Sequence, residues 1–182
     1  SSLSRMMNRI RRVVRRLLPF VYVVLRVGML SLAYVWRRCL WRTTFVAVSG
    51  SVGKTTATAA IAAILGARHR VLKTKGGNNH YRGMFLTLMR TRPWHRYAVI
   101  ELGLSGPGQM RWMALVLKPD VSVWVNVART HTMHFKTLET TAYEKSLLVS
   151  ALRPGGVAIL NGDNPYIAAY QPPAGVRAYR YG

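Results

Sequence analysis

The sequence GSVGKTT at residues 50–56 has the residue types and order of a phosphate-binding loop. It follows the apolar run Phe45–Val48 and leads into a stretch rich in alanine and isoleucine, for which we predict a helix from Thr56 to Leu65. A strand that turns at glycines and restarts as a helix presents backbone N–H groups to an anion. The residues of this predicted ATP site are Gly50, Ser51, Val52, Gly53, Lys54, Thr55 and Thr56.

Two side chains of this loop could act on a bound nucleotide. Lys54 can reach the β- and γ-phosphates, and the Thr55 hydroxyl can ligate Mg²⁺. Only two residues separate Gly50 from Gly53, where the widely known form of the motif has four. The interpretation therefore depends on the predicted strand, turn and helix around the loop.

The chain beyond residue 43 alternates predicted strands and helices. The strands are predicted at 97–100, 121–127 and 157–160, and the helices at 109–117 and 140–152. This βαβ alternation predicts an α/β fold with a mostly parallel, doubly wound sheet that contains the phosphate-binding loop. Ligands bind such sheets at the carboxyl ends of the strands. Gly50, Glu101 and Asn126 all fall at such ends, so we expect them to meet at one crevice.

The charge balance favours anionic partners. The chain has 27 Lys and Arg residues against 5 Asp and Glu, and a formal net charge of +22. Nucleotides, nucleic acids and acidic lipids all suit such a field. No basic-aromatic motif of the RNA-binding kind is present, which argues against nucleic acid. The single cysteine, Cys39, excludes an internal disulfide and a cysteine-rich metal site.

The first acidic residue in the chain is Glu101. An acid this scarce, at the end of a predicted strand beside the crevice, is a candidate ligand for Mg²⁺, which prefers hard oxygen donors. The alternative is an ordinary surface acid at the end of a strand.

Residues 1–43 are predicted to form an arginine-rich, apolar helical arm, and residues 44–182 the nucleotide-binding domain. The stretch 17–36 is apolar and flanked by arginines, but it contains Arg26, Pro19 and Gly28. An arginine inside a membrane span costs about 2.5 to 3.5 kcal/mol on insertion scales. A single span would also place the nucleotide site outside the cell, away from ATP. We therefore expect an in-plane or hairpin association with anionic lipid at the inner face of the cell membrane. The alternative is an arm that packs on the protein or on a partner.

From about Thr44 to Asn164 the chain resembles the ATP-binding central domain of the Mur ligases, and most of all their MurF branch. Seven motifs stand in the family's order: GSVGKTT; Lys73-Thr74 with Asn79 and Gly83; Glu101-Leu102-Gly103 with Pro107-Gly108; Lys118-Pro119-Asp120-Val121; Asn126 with His131; Glu144-Lys145; and Asn161-Gly162-Asp163.

The resemblance implies a cytoplasmic, ATP-dependent amide ligase of cell-wall or peptide-polymer synthesis. Its substrates would be a carboxylate acceptor and an amine donor, joined through an acyl phosphate. It assigns catalytic roles to Lys54, His131 and Lys145, and metal binding to Thr55, Glu101, His131 and Lys145. Lys145 matches a lysine that the family carbamoylates, although an ordinary lysine on a solvated helix face is the alternative. Asn126 would position the ATP loop, and Asn79 would lie near the acceptor.

We expect the chain to be part of a longer ligase, because the resemblance covers only the central domain. The alternative is a nonenzymatic ATP-binding or membrane-tethered module derived from such a ligase.

Overall fold

The computed structural model describes residues 2–77, 79–104, 106–129 and 137–182. Its strands are β1 (Thr44–Ser49), β2 (Val71–Lys73), β3 (Tyr97–Leu102), β4 (Val121–Trp124), β5 (Val157–Asn161) and β6 (Arg177–Tyr181). Its helices are α1 (Ser2–Cys39), α2 (Lys54–Gly66), α3 (Tyr81–Arg90), α4 (Gln109–Leu117), α5 (Leu138–Ser150) and α6 (Pro165–Ala168).

Within these ranges the strands form one sheet in the order β2-β3-β1-β4-β5-β6. Every neighbouring pair of strands is parallel. Parallel strands need crossover connections, and the helices between them supply these. The predicted mostly parallel α/β sheet is therefore confirmed.

Helices cover both faces of the sheet, as a doubly wound fold requires. Successive residues of a strand point to opposite faces. On β4, Val123 packs in a cluster with Ala62 of α2, whereas Trp124 packs in a second cluster with Val149 of α5. Both faces of the central strands are thus buried, which explains why these strands read as continuous apolar runs.

The predicted helices and strands occur with small shifts at their ends. α4 has the predicted bounds, α2 begins at Lys54 instead of Thr56, and β4 ends at Trp124 instead of Val127. α5 begins at Leu138 because the Thr137 side chain accepts a hydrogen bond from the Thr140 N–H. The sequence analysis did not predict β2, α3, α6 or β6.

The structure divides into two compact units, Ser1–Leu32 and Ala33–Gly182. In the first unit α1 continues through Pro19 without a break, and it also continues through Gly28. The hairpin form of the predicted membrane association is therefore wrong. By length and composition the segment Arg15–Cys39 could cross a membrane, with a mean hydropathy of 1.8. Its large apolar side chains, such as Phe20 and Leu25, are mostly exposed.

The second unit includes the last two turns of α1. Ala33 and Leu40 are fully buried there. The Trp36 indole N–H donates to the Thr91 carbonyl at 3.2 Å, and the Arg37 guanidinium stacks over the Phe45 ring. Residues 33–43, which we predicted as part of the arm, thus pack on the α/β unit.

Candidate functional site

The loop after β1 turns at two glycines. Gly53 has a φ of 79°, a left-handed conformation that favours glycine, and α2 begins at the next residue. At Gly50 a Cβ atom would lie 3.0 Å from Cβ of Val125, in the segment after β4. The loop therefore needs one glycine for its backbone conformation and the other for close packing.

Asn126 holds this loop in place. Its Oδ1 accepts from the N–H groups of Ser51 and Val52, at 2.8 and 3.0 Å. The Ser51 hydroxyl donates to the Ala128 carbonyl at 2.9 Å, so two segments from neighbouring strand ends are joined. Asn126 thus contacts the loop from the β4 side, as expected for a residue that positions it.

The first turn of α2 has no side-chain cap from its N-cap residue. Its N-cap is Gly53, which provides no side-chain hydrogen bond to the helix N–H groups. The N–H groups of a first helical turn have no partner within the helix, and the helix dipole favours negative charge there. The arrangement of uncapped N–H groups beside Lys54 fits a phosphate.

Two lysines donate to backbone carbonyls of the same loop. Lys54 Nζ donates to the Ser51 carbonyl at 3.0 Å, and Lys145 Nζ donates to the Gly50 carbonyl at 2.9 Å. Burial lowers the pKa of Lys54, and the negative charge of Glu101 opposes that effect. The two amines therefore bring positive charge to the backbone of the predicted phosphate-binding loop.

Lys145 is buried, with 4% of its surface exposed. Burial, and then the positive charge of Lys54, lower the pKa of Lys145 to about 8. Removing an ammonium group from water disfavours its charged form, which brings the pKa of Lys145 closer to neutral pH than that of an exposed lysine. The alternative of a lysine on a solvated helix face is therefore wrong.

Glu101 is also buried, with 2% of its surface exposed, so it is not the surface acid of the alternative reading. Its Oε1 accepts from the Thr55 hydroxyl at 3.1 Å and from Asn79 Nδ2 at 3.3 Å. Its backbone N–H donates to the Thr74 hydroxyl. The structure thus brings together the carboxylate and the hydroxyl that we predicted as Mg²⁺ ligands, and both are oxygen donors that suit this ion.

Asn79 lies between this pair and the end of β3. Its backbone carbonyl accepts from the Gly103 N–H at 2.6 Å. A Cβ atom on Gly103 would lie 2.8 Å from Cγ of Asn79, so glycine is needed for this contact. Asn79 is held beside Glu101, and its role toward an acceptor stays a prediction.

His131 lies in the segment 130–136, outside the described residues. Among the residues that the structure describes, no group of three or more His, Cys, Asp or Glu residues could hold a metal ion. A cation at the described site would be held by Thr55 and Glu101 together with oxygens of its substrate.

Two residues contribute contacts that the sequence analysis did not assign. Thr74 follows β2 and accepts the Glu101 N–H. Glu144 precedes Lys145, is 6% exposed, and accepts the Gly108 N–H through Oε1 at 2.6 Å. Both belong to motifs that the resemblance quotes, but only the fold shows which backbone groups they reach.

Comparisons with known proteins agree with this arrangement. The family model described as Mur ligase middle domain matches residues 48–182. The UDP-N-acetylmuramoyl-tripeptide--D-alanyl-D-alanine ligase of Escherichia coli (strain K12) is 38% identical over 119 residues, which is 65% of this chain and 26% of the relative.

Solved structures of similar proteins have the same fold. MurF from Acinetobacter baumannii superposes with a TM-score of 0.80 and 26% identity, over 86% of this chain and 35% of that chain. MurF ligase from Thermotoga maritima in complex with ADP has a TM-score of 0.75 and 25% identity, over 84% and 35%. The chain thus spans about a quarter to a third of the length of these relatives.

Proposed function

This chain belongs to the Mur ligase family through its middle domain, and from that membership we propose that it is the ATP-binding core of an amide-forming ligase. In the proposed reaction the γ-phosphate of ATP passes to a substrate carboxylate. An amine attacks the acyl phosphate, the amide bond forms, and ADP and phosphate are released. By analogy with the relatives' names, the acceptor is a UDP-N-acetylmuramoyl tripeptide and the amine donor is D-alanyl-D-alanine. The pathway is then peptidoglycan synthesis in the cytoplasm.

The observation that carries this proposal is the convergence of Lys54, Lys145, Thr55 and Glu101 at the loop. Lys54 would neutralise charge on the transferred phosphoryl group, and the first N–H groups of α2 would hold the phosphates beside it. Asn126 accepts hydrogen bonds from the Ser51 and Val52 N–H groups, so these contacts order the loop before a nucleotide binds. Such prior ordering lowers the entropic cost of binding.

We propose that Thr55 and Glu101 hold Mg²⁺. When bound, the ion would neutralise the β- and γ-phosphate oxygens and orient them for transfer. Glu101 already accepts from the Thr55 hydroxyl at 3.1 Å, so the two oxygens that would hold the ion lie side by side. His131 would orient a second metal near the acceptor carboxylate, and Asn79 would contact the acceptor.

Lys145 is proposed to be carbamoylated. Carbon dioxide reacts with a neutral amine, and the lowered pKa of Lys145 provides one. The product carries a carboxylate and would replace a buried cation beside Lys54 by an anion. Such a group could bind metal, which the ammonium form cannot do.

The competing proposal is a nonenzymatic ATP-binding or membrane-tethered module. Its support is the helix α1, whose segment Arg15–Cys39 is apolar enough to associate with a membrane. Such a module would bind Mg-ATP at the same loop but would not turn it over.

An assay of ADP release separates the two proposals. The longer protein that we expect to contain this chain is incubated with Mg-ATP, the UDP-linked tripeptide and D-alanyl-D-alanine, and amide formation is followed by mass spectrometry. A ligase releases ADP and forms amide only when both substrates are present. Tight Mg-ATP binding without acceptor-dependent ADP release would support the nonenzymatic module instead.

A further inference from the structure

A basic cavity of about 550 Å³ opens at the end of the sheet where the strands begin, opposite the end that carries the ATP loop. It is lined by the first residues of four strands, namely Thr44 of β1, Val121 of β4, Val157 of β5 and Arg177 of β6. The ATP loop follows the other end of β1. Since β1 has six residues, the two sites are separated by about 15 to 20 Å.

The lining of this cavity carries seven basic residues and a single acid, Asp120. That acid is already fully engaged. Its Oδ2 accepts from Arg37 at 3.2 Å and from the Phe45 N–H at 2.9 Å, and its Oδ1 accepts from Arg153 at 2.8 Å. The carboxylate therefore has little capacity left for the other cations around it.

Five cationic side chains remain at the cavity without a carboxylate. They are that of half-buried Arg38 and those of exposed Arg42, Arg96, Lys118 and Arg177. All five acids of the chain lie within the described residues, and none forms an ion pair with these five. Unbalanced positive charge in a concave site attracts anions strongly, because low-dielectric walls focus the field.

Backbone groups at the end of α4 help to hold these basic residues at the cavity. Lys118 directly follows α4 and has a φ of 42°, an uncommon conformation for a residue other than glycine. Arg37 is held by the carbonyls of Leu117 and Lys118 as well as by Asp120. Burial lowers the pKa of Arg37, the charge of Asp120 opposes that effect, and the like charges of Arg38 and Arg153 lower the pKa further.

We propose that this cavity binds a phosphate-bearing anion, distinct from the nucleotide at the Gly50 loop. Guanidinium groups match phosphate oxygens in pairs, and binding sites for small molecules commonly have volumes of about 300 to 1,000 Å³. The phosphate belongs either to a soluble polyanion or to an anionic lipid headgroup. The lipid is one of the two sources because the cavity residue Arg37 directly follows the apolar stretch 17–36 in the sequence.

The test compares two double variants of the full chain in detergent. Arg42→Gln with Arg177→Gln removes two unpaired charges from the cavity. Arg90→Gln with Arg111→Gln removes the same charge from exposed positions on α3 and α4. Pyrophosphate binding is measured by calorimetry in the Lys54→Ala background, which weakens the ATP loop as a competing site.

We expect the cavity variant to lose at least about tenfold in pyrophosphate affinity, since charge-assisted hydrogen bonds are the strong ones. The control variant should keep the affinity of the unmutated cavity. When Lys54 is left unmutated, both double variants should bind ATP with the same affinity. This result would separate the cavity from the nucleotide loop. Equal pyrophosphate affinity in the two double variants, or no pyrophosphate binding once Lys54 is replaced, would overturn the proposal.

A second arm identifies the source of the phosphate. Vesicles of phosphatidylcholine and phosphatidylglycerol in equal parts are floated with each variant. Weaker flotation of the cavity variant, with displacement of the unmutated chain by pyrophosphate, indicates a lipid headgroup. Equal flotation with loss of pyrophosphate binding indicates a soluble anion. Both results support the cavity as a phosphate site.

Discussion

Lys145 in α5 donates a hydrogen bond from Nζ to the backbone carbonyl of Gly50, 2.9 Å away and 95 positions earlier in the sequence. This contact connects the middle of a buried helix to the turn that would hold ATP. A change in the charge of Lys145 would therefore be felt directly at the loop. The low pKa of this lysine makes such a change accessible near neutral pH.

Lys54→Ala should weaken Mg-ATP binding by about 1.5 to 3 kcal/mol, the usual size for hydrogen bonds to charged groups. The substitution removes the amine that lies beside the uncapped first turn of α2. Calorimetric titration of Mg-ATP measures the change, and Arg111→Ala on the exposed face of α4 is the charge-matched control. Equal affinity in Lys54→Ala and the unmutated chain would show that the loop is not the nucleotide site.

Glu101→Gln should leave the thermal midpoint of the unliganded chain nearly unchanged. The glutamine carbonyl can still accept from the Thr55 hydroxyl, so the local contacts survive. The Mg²⁺-dependent part of the stabilisation by ATP should disappear, because the negative charge that would hold the ion is lost.

Thermal unfolding with ATP, with and without Mg²⁺, measures this effect. Glu139→Gln, at the exposed start of α5, is the matched control and should keep the full Mg²⁺ response. If Glu101→Gln unfolds the chain while Mg²⁺ has no effect on the unmutated protein, Glu101 has a structural role.

The pKa of Lys145 predicts a specific dependence of stability on pH. In the folded state the pKa of Lys145 is about 8, against 10.5 for an ordinary lysine. Between these values the unfolded chain binds more protons, so the free energy of unfolding rises with pH. Below about pH 8 both states are protonated and this lysine contributes its full destabilisation. The gap corresponds to about 3 kcal/mol, gained as the pH rises to the unfolded pKa.

Lys145→Met removes this titration while keeping an apolar chain of similar length. Denaturant unfolding of both proteins at several pH values isolates the contribution of Lys145, because the other titrating groups are shared. Above pH 8 the free energy of unfolding of the unmutated chain should rise relative to that of the variant. If the two plots of this free energy against pH run parallel, the pKa of Lys145 is not lowered in the folded state.

Carbamoylation of Lys145 should be visible with isotopically labelled bicarbonate. A carbamate carbon resonance is expected in the unmutated chain, because the buried amine is partly neutral near pH 8. Lys145→Met should lack this resonance, and Lys75→Met, at an exposed position, should keep it. A spectrum that is unchanged by Lys145→Met would assign the adduct to another amine or exclude it.

The arm should bind vesicles that contain acidic lipid and should release them in high salt. Each basic residue near an anionic surface contributes about 1 kcal/mol, and salt screens this attraction. Deletion of residues 1–32 should abolish most of the binding. The deletion ends there because Ala33 and Leu40 are buried in the α/β unit, so a longer deletion would also damage the fold.

Flotation and salt washing measure this association. Retention of the chain through alkaline carbonate, with release only by detergent, would show that the segment spans the membrane and does not lie in its plane.

The residues around Gly50 and Glu101 were predictable because their signals are local. Glycines between an apolar run and a helix specify a turn, and an acid at a strand end in a parallel sheet lies at the ligand edge. α4 was predicted with its observed bounds for the same reason, since its apolar spacing and flanking loop are contained in one window. The short strand β2 and the exposed edge strand β6 carry no such pattern, so they were missed.

By itself, the sequence determined the α/β fold, the glycine turn and the scarcity of acids near the loop, since each is a property of neighbouring residues or of composition. Only the tertiary structure decided that Lys145 reaches Gly50, that Asn126 binds two loop amides, and that Glu101 is buried against Thr55. It also placed the arginines of the α1 end and of β6 around one cavity. These contacts join segments far apart in the chain, and their geometry follows from the order of strands in the sheet, which local spacing does not encode.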